Sequence, residues 1–223
     1  MNNKIVYFLL FKFSQNKLWA FIQMGRNNGF MKNQNGLIFY KFMGSGGRSG
    51  FSLRPDFSTY ALLSVWENED QAKSFLERNK LVSLYKKKCK QVRLLILKPF
   101  QSHGLWSGIN PFKINDQQTI EKSKVAIITR ATLNYSKLIS FWKSVPNSSK
   151  AISKAKGVYF FKGIGEIPFI QQATISLWDS IQDVINFAYK SEVHSEIVKR
   201  TRKEKWYKEE LFSRFYVLND LII

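Results

Sequence analysis

The sequence has one cysteine, two histidines and little proline or glycine, with 5 Pro and 12 Gly in 223 residues. Cys89 therefore has no partner for an intrachain disulfide, and no Cys and His spacing suits a structural zinc site. Sparse glycine and proline exclude collagen-like and low-complexity chains. A lone cysteine is typical of a protein that works in a reducing compartment.

Acidic residues are also scarce, because 16 Asp and Glu stand against 35 Lys and Arg, which leaves a formal net charge of +19. Such an excess favours an anionic partner, either nucleic acid or the acidic lipid face of a membrane. Salt would screen the attraction in both cases. Charge alone does not choose between these two partners.

Long apolar runs are missing as well, since a membrane-spanning helix needs about 20 apolar residues. The apolar run from Ile5 to Phe11 is followed by Lys12 and by no small-residue cleavage site. We interpret this run as a strand rather than a signal peptide. We therefore expect a cytoplasmic protein that contacts the inner membrane surface only peripherally.

The usual hydrolytic side-chain sets are absent. A Ser-His-Asp set cannot be assembled from two histidines when one of them, His103, lies in the polar segment SHGLWSGINPF. Paired carboxylates in a helical or strand context do not occur either. The 44% hydrophobic and 15% aromatic residues instead favour a large core and a long apolar ligand. Any redox chemistry would need a cofactor.

An internal repeat is the most informative feature of the sequence. Shifting the chain by 120 places Ile5 to Phe11 over Val125 to Ala131. A shift of 121 places Gly36 to Gly44 over Gly157 to Gly165, and a shift of 112 aligns Trp66 with Trp178. The changes of offset fall in loops, where insertions are tolerated. Two copies of one module are therefore predicted, with the join between residues 99 and 122.

Both copies have the same predicted order of elements. Each has a β-rich run, a helix, two strands, a longer helix and a last strand. The predicted segments are 5–13, 15–27, 36–44, 58–66 and 91–98 in the first copy, and 125–132, 134–154, 157–165, 171–178 and 210–217 in the second, with Asn68 and Ser180 as caps of the longer helices.

The order βαββαβ is that of the ferredoxin-like module, whose helices cover one face of an antiparallel sheet. The sequence therefore predicts an α+β protein with two tandem modules packed as an intrachain version of the dimeric α/β barrel. A pocket is expected inside the barrel or at its mouth. The predicted boundaries are 1–98 for the first module, 99–124 for a connecting segment and 125–223 for the second module, which carries the expected site.

Two glycine- and lysine-rich segments have ordinary structural interpretations. GSGGRSG (Gly44 to Gly50) is followed by loop and strand rather than by a helix, so we interpret it as a hairpin loop and not as a phosphate cradle. Lys86, Lys87, Lys88 and Lys90 close the first long helix, as a solvated helix end or as a docking patch for acidic lipid or phosphate. Their charges are expected to lower the pKa of the neighbouring Cys89.

The helix predicted to begin at Ser180 carries the strongest ligand candidates. His194 lies in the stripe formed by Phe187, Ser191, Val198 and Thr201, so it is either a core histidine or a ligand. Arg200 and Arg202 follow within two turns. They form a solvated basic face, or they bind an anionic group such as lipid phosphate or heme propionates.

Six strings, in order along nearly the whole chain, resemble the spheroidene monooxygenase family. The strings are FKFSQNKLWAFIQMG (11–25), RPDFSTYALLSVW (54–66), LWSGINPF (105–112), FWKSVPNSS (141–149), GIGEIPFIQQATISLW (163–178) and HSEIVKRTRKEKWYKEELFSRF (194–215). The resemblance implies a heme-containing monooxygenase that ketonises an acyclic carotenoid, with dioxygen and reduced ferredoxin.

The resemblance also implies roles for particular residues. His194 becomes the expected proximal ligand of the heme iron, with Arg200 and Arg202 at the propionates. Three tryptophans and one arginine are expected at the substrate pocket: Trp142, Trp178, Trp206 and Arg130, the last replacing Leu10 of the first copy. The expected partners are a carotenoid, ferredoxin and an anionic membrane, without nucleic acid.

Three other functions remain open at the level of sequence. A heme-binding protein without carotenoid chemistry and a cofactor-free oxygenase would both use the same barrel. An RNA-recognition module shares the order βαββαβ, and KGVYFFKG (156–163) resembles its aromatic strand. The matching first-copy strand, GLIFYKFMG, lacks the basic residue before the glycine, which counts against RNA.

Overall fold

The computed structural model describes residues 4–47, 52, 54–114, 123–190 and 192–223, without the side chains of 190–195. The first half contains β1 (Ile5–Lys12), α1 (Lys17–Arg26), α2 (Asn28–Met31), β2 (Leu37–Gly46), β3 (Pro55–Trp66), α3 (Glu69–Arg78), α4 (Lys80–Lys88) and β4 (Gln91–Gly104). The second half contains β5 (Val125–Leu133), a 3₁₀ turn (Tyr135–Lys137), α5 (Leu138–Ser153), β6 (Val158–Ile167), β7 (Gln171–Trp178), α6 (Ile181–Lys190), α7 (Glu192–Glu204) and β8 (Tyr207–Ile222).

The two halves repeat one antiparallel sheet. The strand orders are β4-β1-β3-β2 and β8-β5-β7-β6, which is the ferredoxin-like order, and the two sheets join into one closed barrel. The repeat extends to side chains, because the Trp66 indole donates to Ser64 Oγ at 3.0 Å and the Trp178 indole donates to Ser176 Oγ at 2.9 Å. The predicted fold class is confirmed.

The sheets close through their edge strands. β4 pairs with β8 from Arg93 to Gly104, whereas β2 and β6 share only the pairs of Gly44 with Gly165 and Ser45 with Ile164. The long β4–β8 ladder explains why both strands run past the predicted 91–98 and 210–217, since each gains backbone partners from the other module. The predicted boundaries 1–98, 99–124 and 125–223 stay a prediction.

Alternate residues of each strand face opposite layers. In β1, Val6 and Phe8 lie in a cluster with residues of both modules, which is the barrel interior, whereas Tyr7 and Leu9 lie under the helices. This follows from the period of two along a strand. The described sheets are therefore covered on both faces, and neither presents the open aromatic face by which an RNA-recognition motif stacks bases.

The segment after β4 enters the barrel. Trp106 and Phe112 are both fully buried in the interior cluster, and Trp106 forms a short bridge with Ile109. Their rings meet each other and the rings of Phe39 and Phe215 edge to face, at centroid distances between 4.9 and 6.4 Å. These side chains fill the interior at the end where we expected a pocket.

The long helix predicted in the first module is two helices. Asn79 has an extended backbone between α3 and α4, and its side chain accepts from the backbone N–H of Leu81 at 2.8 Å, which starts a new helix. The chain around Gly46 continues from β2 towards β3 as a hairpin, although residues 48–51 and 53 of the glycine-rich loop lie outside the described residues. Among the described residues no helix has the length and apolar character to cross a bilayer.

Candidate functional site

The helix-facing side of the first sheet is packed without interruption. One continuous cluster contains Leu9, Phe11, Tyr60 and Leu62 together with residues of α1 to α4 such as Tyr85. All five are at most 4% exposed. Around these five residues this face is an ordinary close-packed core.

Among the side chains that the structure describes, which leave out 190–195, the same side of the second sheet forms two clusters. One surrounds Trp178 and includes Phe212 and residues of α6, and the other surrounds Trp206 and contains residues of α5 and α7. Thr129 and Thr174 belong to neither cluster, and both are only partly buried. We call the part of the sheet around these two threonines the helix-facing gap of the second module.

Strand pairing identifies what has changed between the copies. Leu9 pairs with Leu62 in the first sheet, and Thr129 pairs with Thr174 at the equivalent place in the second. One step along, the pair of Phe11 and Tyr60 is replaced by the pair of Ala131 and Gln172. Every one of these replacements gives a smaller or a more polar side chain. At these two pairs the strands of the second module therefore contribute less apolar volume to the helix-facing side than those of the first.

Arg214 is the charged residue of this face. It pairs with Ile127 on β5, a place that the buried Ile96 occupies in the first module. Its Nη1 donates to Gln101 Oε1 at 2.8 Å, and its guanidinium lies 5.4 Å from the ring centroid of Phe212. Its Nε is buried and has no hydrogen-bond partner among the described residues.

Burial lowers the pKa of Arg214, because the charged form loses solvation. A buried N–H donor without a partner, such as the Nε of Arg214 among the described residues, is costly, and an anionic group that accepts from it is favourable. Sequence reasoning missed this residue. The signal was present, since comparison of the last strands places an arginine over the apolar Ile96, just as Arg130 stands over Leu10.

The expected heme ligand, His194, lies on α7, and its side chain lies outside the described residues. The other histidine, His103, is exposed on β4 and stacks on Phe212 with a centroid distance of 5.3 Å. Within the part of the chain that the structure describes, no group of three metal-ligating side chains occurs.

Arg200 is already engaged at the surface. Its Nε lies 2.5 Å from Glu204 Oε1, its guanidinium lies 5.4 Å from the Trp206 ring centroid, and its Nη2 donates to Ser140 Oγ at 3.2 Å. These hydrogen bonds, that from Arg200 first and then those from Ser140 and Trp206, lower the pKa of Glu204 to about 2. Arg202 lies exposed in the last turn of the same helix.

The three predicted tryptophans divide between the two clusters. Trp142 and Trp206 both contact Phe141 edge to face, at 5.5 and 5.8 Å between ring centroids. Trp178 belongs to the other cluster, where it contacts Phe187 at 5.3 Å. The structure therefore brings Trp142, Trp206 and Arg200 together on one side of the helix-facing gap and places Trp178 on the other side.

Arg130 lies on the opposite face of β5, inside the barrel. It is 1% exposed and forms a close ion pair with Glu209, and its Nη2 lies 3.7 Å from Glu166 Oε1. Lys41 Nζ lies 2.5 Å from the other oxygen of Glu166 and donates to Ser107 Oγ at 2.8 Å. Four strands thus contribute to one buried charge network.

This network holds the segment that enters the barrel. The Trp106 indole donates to Glu166 Oε1 at 2.6 Å, and Glu209 accepts from the backbone N–H groups of Ser107 at 3.0 Å and Gly108 at 2.8 Å. Burial alone would raise the pKa of Glu209, but the hydrogen bonds from Gly108 and Ser107 and the contact with Arg130 lower it. Arg130 therefore belongs to the charge network that holds this segment in the barrel. The sheet separates Arg130 from the helix-facing gap.

Two clefts open at the surface of the described residues. The larger, about 560 Å³, lies in the first module between α2 and α3 and is lined by Trp66, Gln71 and Arg78, among others. The smaller, about 110 Å³, lies between α5 and α7 beside Ile197 and Arg200. Small-molecule sites usually measure about 300 to 1,000 Å³. A ligand of cofactor size at the helix-facing gap would therefore require α7 to move away from α5.

The pKa of Cys89 is shifted in the direction opposite to the prediction. Burial raises the pKa of its thiol to about 12, although Lys86 to Lys90 surround it in sequence. The lysine side chains extend into solvent, so desolvation of the sulfur outweighs their attraction. Cys89 is therefore a neutral thiol at pH 7 and does not suit a thiolate ligand for iron.

Comparison with known proteins gives one consistent group of relatives. No protein-family model matches the chain. The chain is 32% identical over 215 residues to spheroidene monooxygenase of Cereibacter sphaeroides, covering 95% of this chain and 66% of that protein. It is 30% identical over 203 residues to spheroidene monooxygenase of Rhodobacter capsulatus, covering 90% and 83%. A third relative, from Rubrivivax gelatinosus, is 28% identical over 203 residues.

The barrel also resembles solved structures at low sequence identity. An aldoxime dehydratase matches with a TM-score of 0.65 at 8% identity, covering 99% of this chain and 84% of that chain. A second aldoxime dehydratase, in complex with butyraldoxime, matches with a TM-score of 0.63 at 10% identity, covering 99% and 82%. At such identities the match concerns the fold alone.

Proposed function

We propose that this chain, which belongs to the spheroidene monooxygenase family of oxygenase enzymes, hydroxylates and then ketonises a terminal carbon of an acyclic carotenoid, in the manner of spheroidene to spheroidenone. The relation to the curated relatives, at 32% and 30% identity, supports the activity. The structural observation that carries the proposal is the helix-facing gap, where the second module exchanges core residues for small and polar ones.

The proposed reaction balances in two rounds. In each round dioxygen, two electrons from reduced ferredoxin and two protons give one hydroxyl group on the carotenoid and one water. The second round at the same carbon gives a geminal diol, which loses water to form the ketone. Protein side chains do not activate dioxygen readily, so a cofactor must supply that step.

Heme is the proposed cofactor, and it supplies dioxygen activation when bound. The residues at the helix-facing gap fit such a group. Thr129 and Thr174 are smaller than the leucines at the equivalent places of the first module, and the Nε of Arg214, which has no hydrogen-bond partner among the described residues, suits a propionate carboxylate. His194 would ligate the iron from α7, and Arg202 would remain as a second cation near the propionates.

The chain's own residues would bind and shield an apolar substrate. Trp178 and Trp206 are buried on the two sides of the gap, and each anchors an apolar cluster that excludes water. Trp142 is partly buried and donates to the Phe169 carbonyl at 3.1 Å, which fixes its ring orientation. We propose that these three rings form the walls against which the polyene packs.

An absorption spectrum after heme reconstitution tests this proposal. Wild-type protein should develop a Soret band that shifts on reduction, and His194→Ala should lose or alter that band. His103→Ala is the comparison variant, because His103 is the other histidine and stacks on Phe212 beside the proposed site. A band that is kept in His194→Ala and lost in His103→Ala would contradict ligation by His194. A reconstituted wild type that converts spheroidene with ferredoxin supports the full proposal, whereas the absence of heme uptake by the wild type refutes the heme-dependent activity.

A further inference from the structure

The outward face of α1 is unusually apolar. Leu18, Phe21 and Ile22 are 73%, 54% and 43% exposed, while Ala20 faces the core and is 1% exposed. A surface helix normally presents polar residues to solvent, so this helix is apolar on its solvent side as well. Exposed apolar residues that cluster in this way mark an interaction surface.

A residue from the neighbouring strand enlarges the cluster. Phe57, near the start of β3, is 50% exposed, and its ring contacts that of Phe21 edge to face at 5.8 Å. We call Leu18, Phe21, Ile22 and Phe57 the α1 surface. Lys17 and Arg26 lie exposed at its two ends, because they are the first and last residues of the helix.

A dense group of lysines adjoins the α1 surface. The C-terminal end of α4 contacts the start of α1, since Asn16 Nδ2 donates to the Lys88 carbonyl at 3.4 Å and Lys88 Nζ lies 5.4 Å from the Trp19 ring centroid. The next residues continue beside β1, where the Lys90 N–H donates to the Lys12 carbonyl at 2.8 Å. Lys86 and Lys87 are fully exposed in the same turn as Lys88.

Acidic residues are scarce in the sequence segments that form this region. The sequence has no Asp or Glu between Arg78 and Lys98, and Asp56 is the first acidic residue of the whole chain. Asp56 itself is engaged, because Lys162 Nζ lies 3.2 Å from its Oδ2. The α1 surface is therefore a small apolar protrusion bordered by cations.

We propose that the α1 surface, with Lys86, Lys87 and Lys88, docks on an anionic lipid bilayer. Phe and Leu side chains enter the headgroup and acyl boundary, while lysines contact the headgroup phosphates, as in interfacial amphipathic helices. An acidic protein as the docking partner would explain the lysines but not the exposed apolar residues. The reason for the protein to bind a bilayer rests on the proposed function, because a carotenoid substrate is dissolved in the membrane.

Vesicle binding by the purified full chain tests the docking surface. Wild-type protein should bind vesicles of phosphatidylglycerol and phosphatidylcholine at low salt, bind more weakly at high salt, and not bind pure phosphatidylcholine. Leu18→Ser/Phe21→Ser should weaken binding by at least about tenfold. Lys86→Glu/Lys87→Glu should weaken it by about 25-fold or more, at about fivefold per lysine.

Two matched double variants test whether vesicle binding depends on the α1 surface itself or only on the protein's net charge and exposed apolar residues. Tyr135→Ser/Ile139→Ser removes two side chains that are each 74% exposed, at the start of the equivalent second-module helix. Lys150→Glu/Lys154→Glu makes the same change of net charge at exposed positions of the second module. Both controls should bind as the wild type does. Equal losses in tests and controls would overturn the proposal, as would wild-type binding that is absent or independent of salt.

The outcomes also distinguish this proposal from the enzymatic one. If the lysine reversals weaken ferredoxin binding and leave vesicle binding unchanged, the surface is a protein site and the proposal is wrong. If vesicle binding is lost in the test variants while heme uptake and the oxidation of detergent-dissolved carotenoid persist, the docking is supported separately from catalysis. Vesicle binding by a wild type that takes up no heme would support the docking and refute the proposed function.

Discussion

Thr129 and Thr174 pair across β5 and β7 on the helix-facing side of the second sheet, at the place where Leu9 and Leu62 pair in the first. Both leucines are fully buried and both threonines are only partly buried. Each copy of the repeat therefore serves as a reference for the other. The residues at which the copies differ in size and polarity are the basis of our proposal that the second module holds the ligand.

Arg214→Ile should change stability little, because it restores the apolar residue of the first module, and it removes one hydrogen bond to Gln101 together with an Nε that has no partner among the described residues. We expect the free energy of unfolding to stay within about 1 kcal/mol of the wild type or to rise. Urea denaturation at pH 7 measures this change. The uptake of an anionic ligand should fall in the same variant.

Arg93→Ile provides the contrast. Arg93 donates to both carboxylate oxygens of Asp220 at 2.7 Å, so its removal breaks a complete pair. It should lower stability by roughly 1 kcal/mol while ligand uptake is unchanged. Destabilisation by Arg214→Ile larger than that by Arg93→Ile would show that Arg214 serves the fold and not a ligand.

Trp106→Ala should be strongly destabilising. The side chain is fully buried in the barrel interior, and its indole donates to Glu166 within the charge network. Truncation leaves a cavity and an unpaired acceptor, which together cost about 3 to 5 kcal/mol. Leu105→Ala, at a neighbouring side chain that is 46% exposed, should cost less than about 1 kcal/mol. Similar midpoints of thermal unfolding for the two variants would contradict the packing of Trp106 inside the barrel.

The stability of the protein should fall in acid because of depressed carboxyl pKa values. Hydrogen bonds from Arg200, Ser140 and Trp206 hold the pKa of Glu204 at about 2, below its ordinary 4.5. A lowered folded-state pKa gives stability that is present above the unfolded value and is lost as the pH falls towards the folded value. The window for Glu204 is therefore from about pH 4.5 down to about pH 2.

Glu204→Gln removes this titration and should flatten the dependence of the melting temperature on pH within that window. Glu210→Gln is the matched control, since Glu210 is exposed on β8, and it should retain the wild-type slope. Melting temperatures measured by circular dichroism between pH 5 and pH 2 give the comparison. An unchanged slope in Glu204→Gln would mean that the contacts of Glu204 with Arg200 and Ser140 do not persist in solution.

The fold could be predicted from the sequence because the residues that recur in both copies are those that define strands and turns. Trp66 and Trp178 align at a fixed shift, and the structure places both at the ends of equivalent strands with the same hydrogen bond to a serine. Register follows from such positions, since a strand that buries one face tolerates no slip.

The candidate site could be predicted only in part. Spacing identified His194 and Arg200 on a helix, but it could not show that Arg200 is engaged by Glu204 or that Arg130 faces the barrel interior. Those facts depend on contacts between residues far apart in sequence, such as Arg130 with Glu209. Arg214 could have been predicted, because the comparison of the copies that identified Arg130 also places Arg214 over the apolar Ile96.

The most direct test of the account is to refill the helix-facing gap. Thr129→Leu/Thr174→Leu restores the pair found in the first module, so the variant should fold with an equal or higher melting temperature. Leu9→Met/Leu62→Met changes the equivalent pair while conserving volume and is the matched control. Titration with hemin, followed by absorption, should give uptake by the wild type and the control and none by the refilled variant. Uptake by the refilled variant equal to that of the wild type would contradict the assignment of the ligand site to this face.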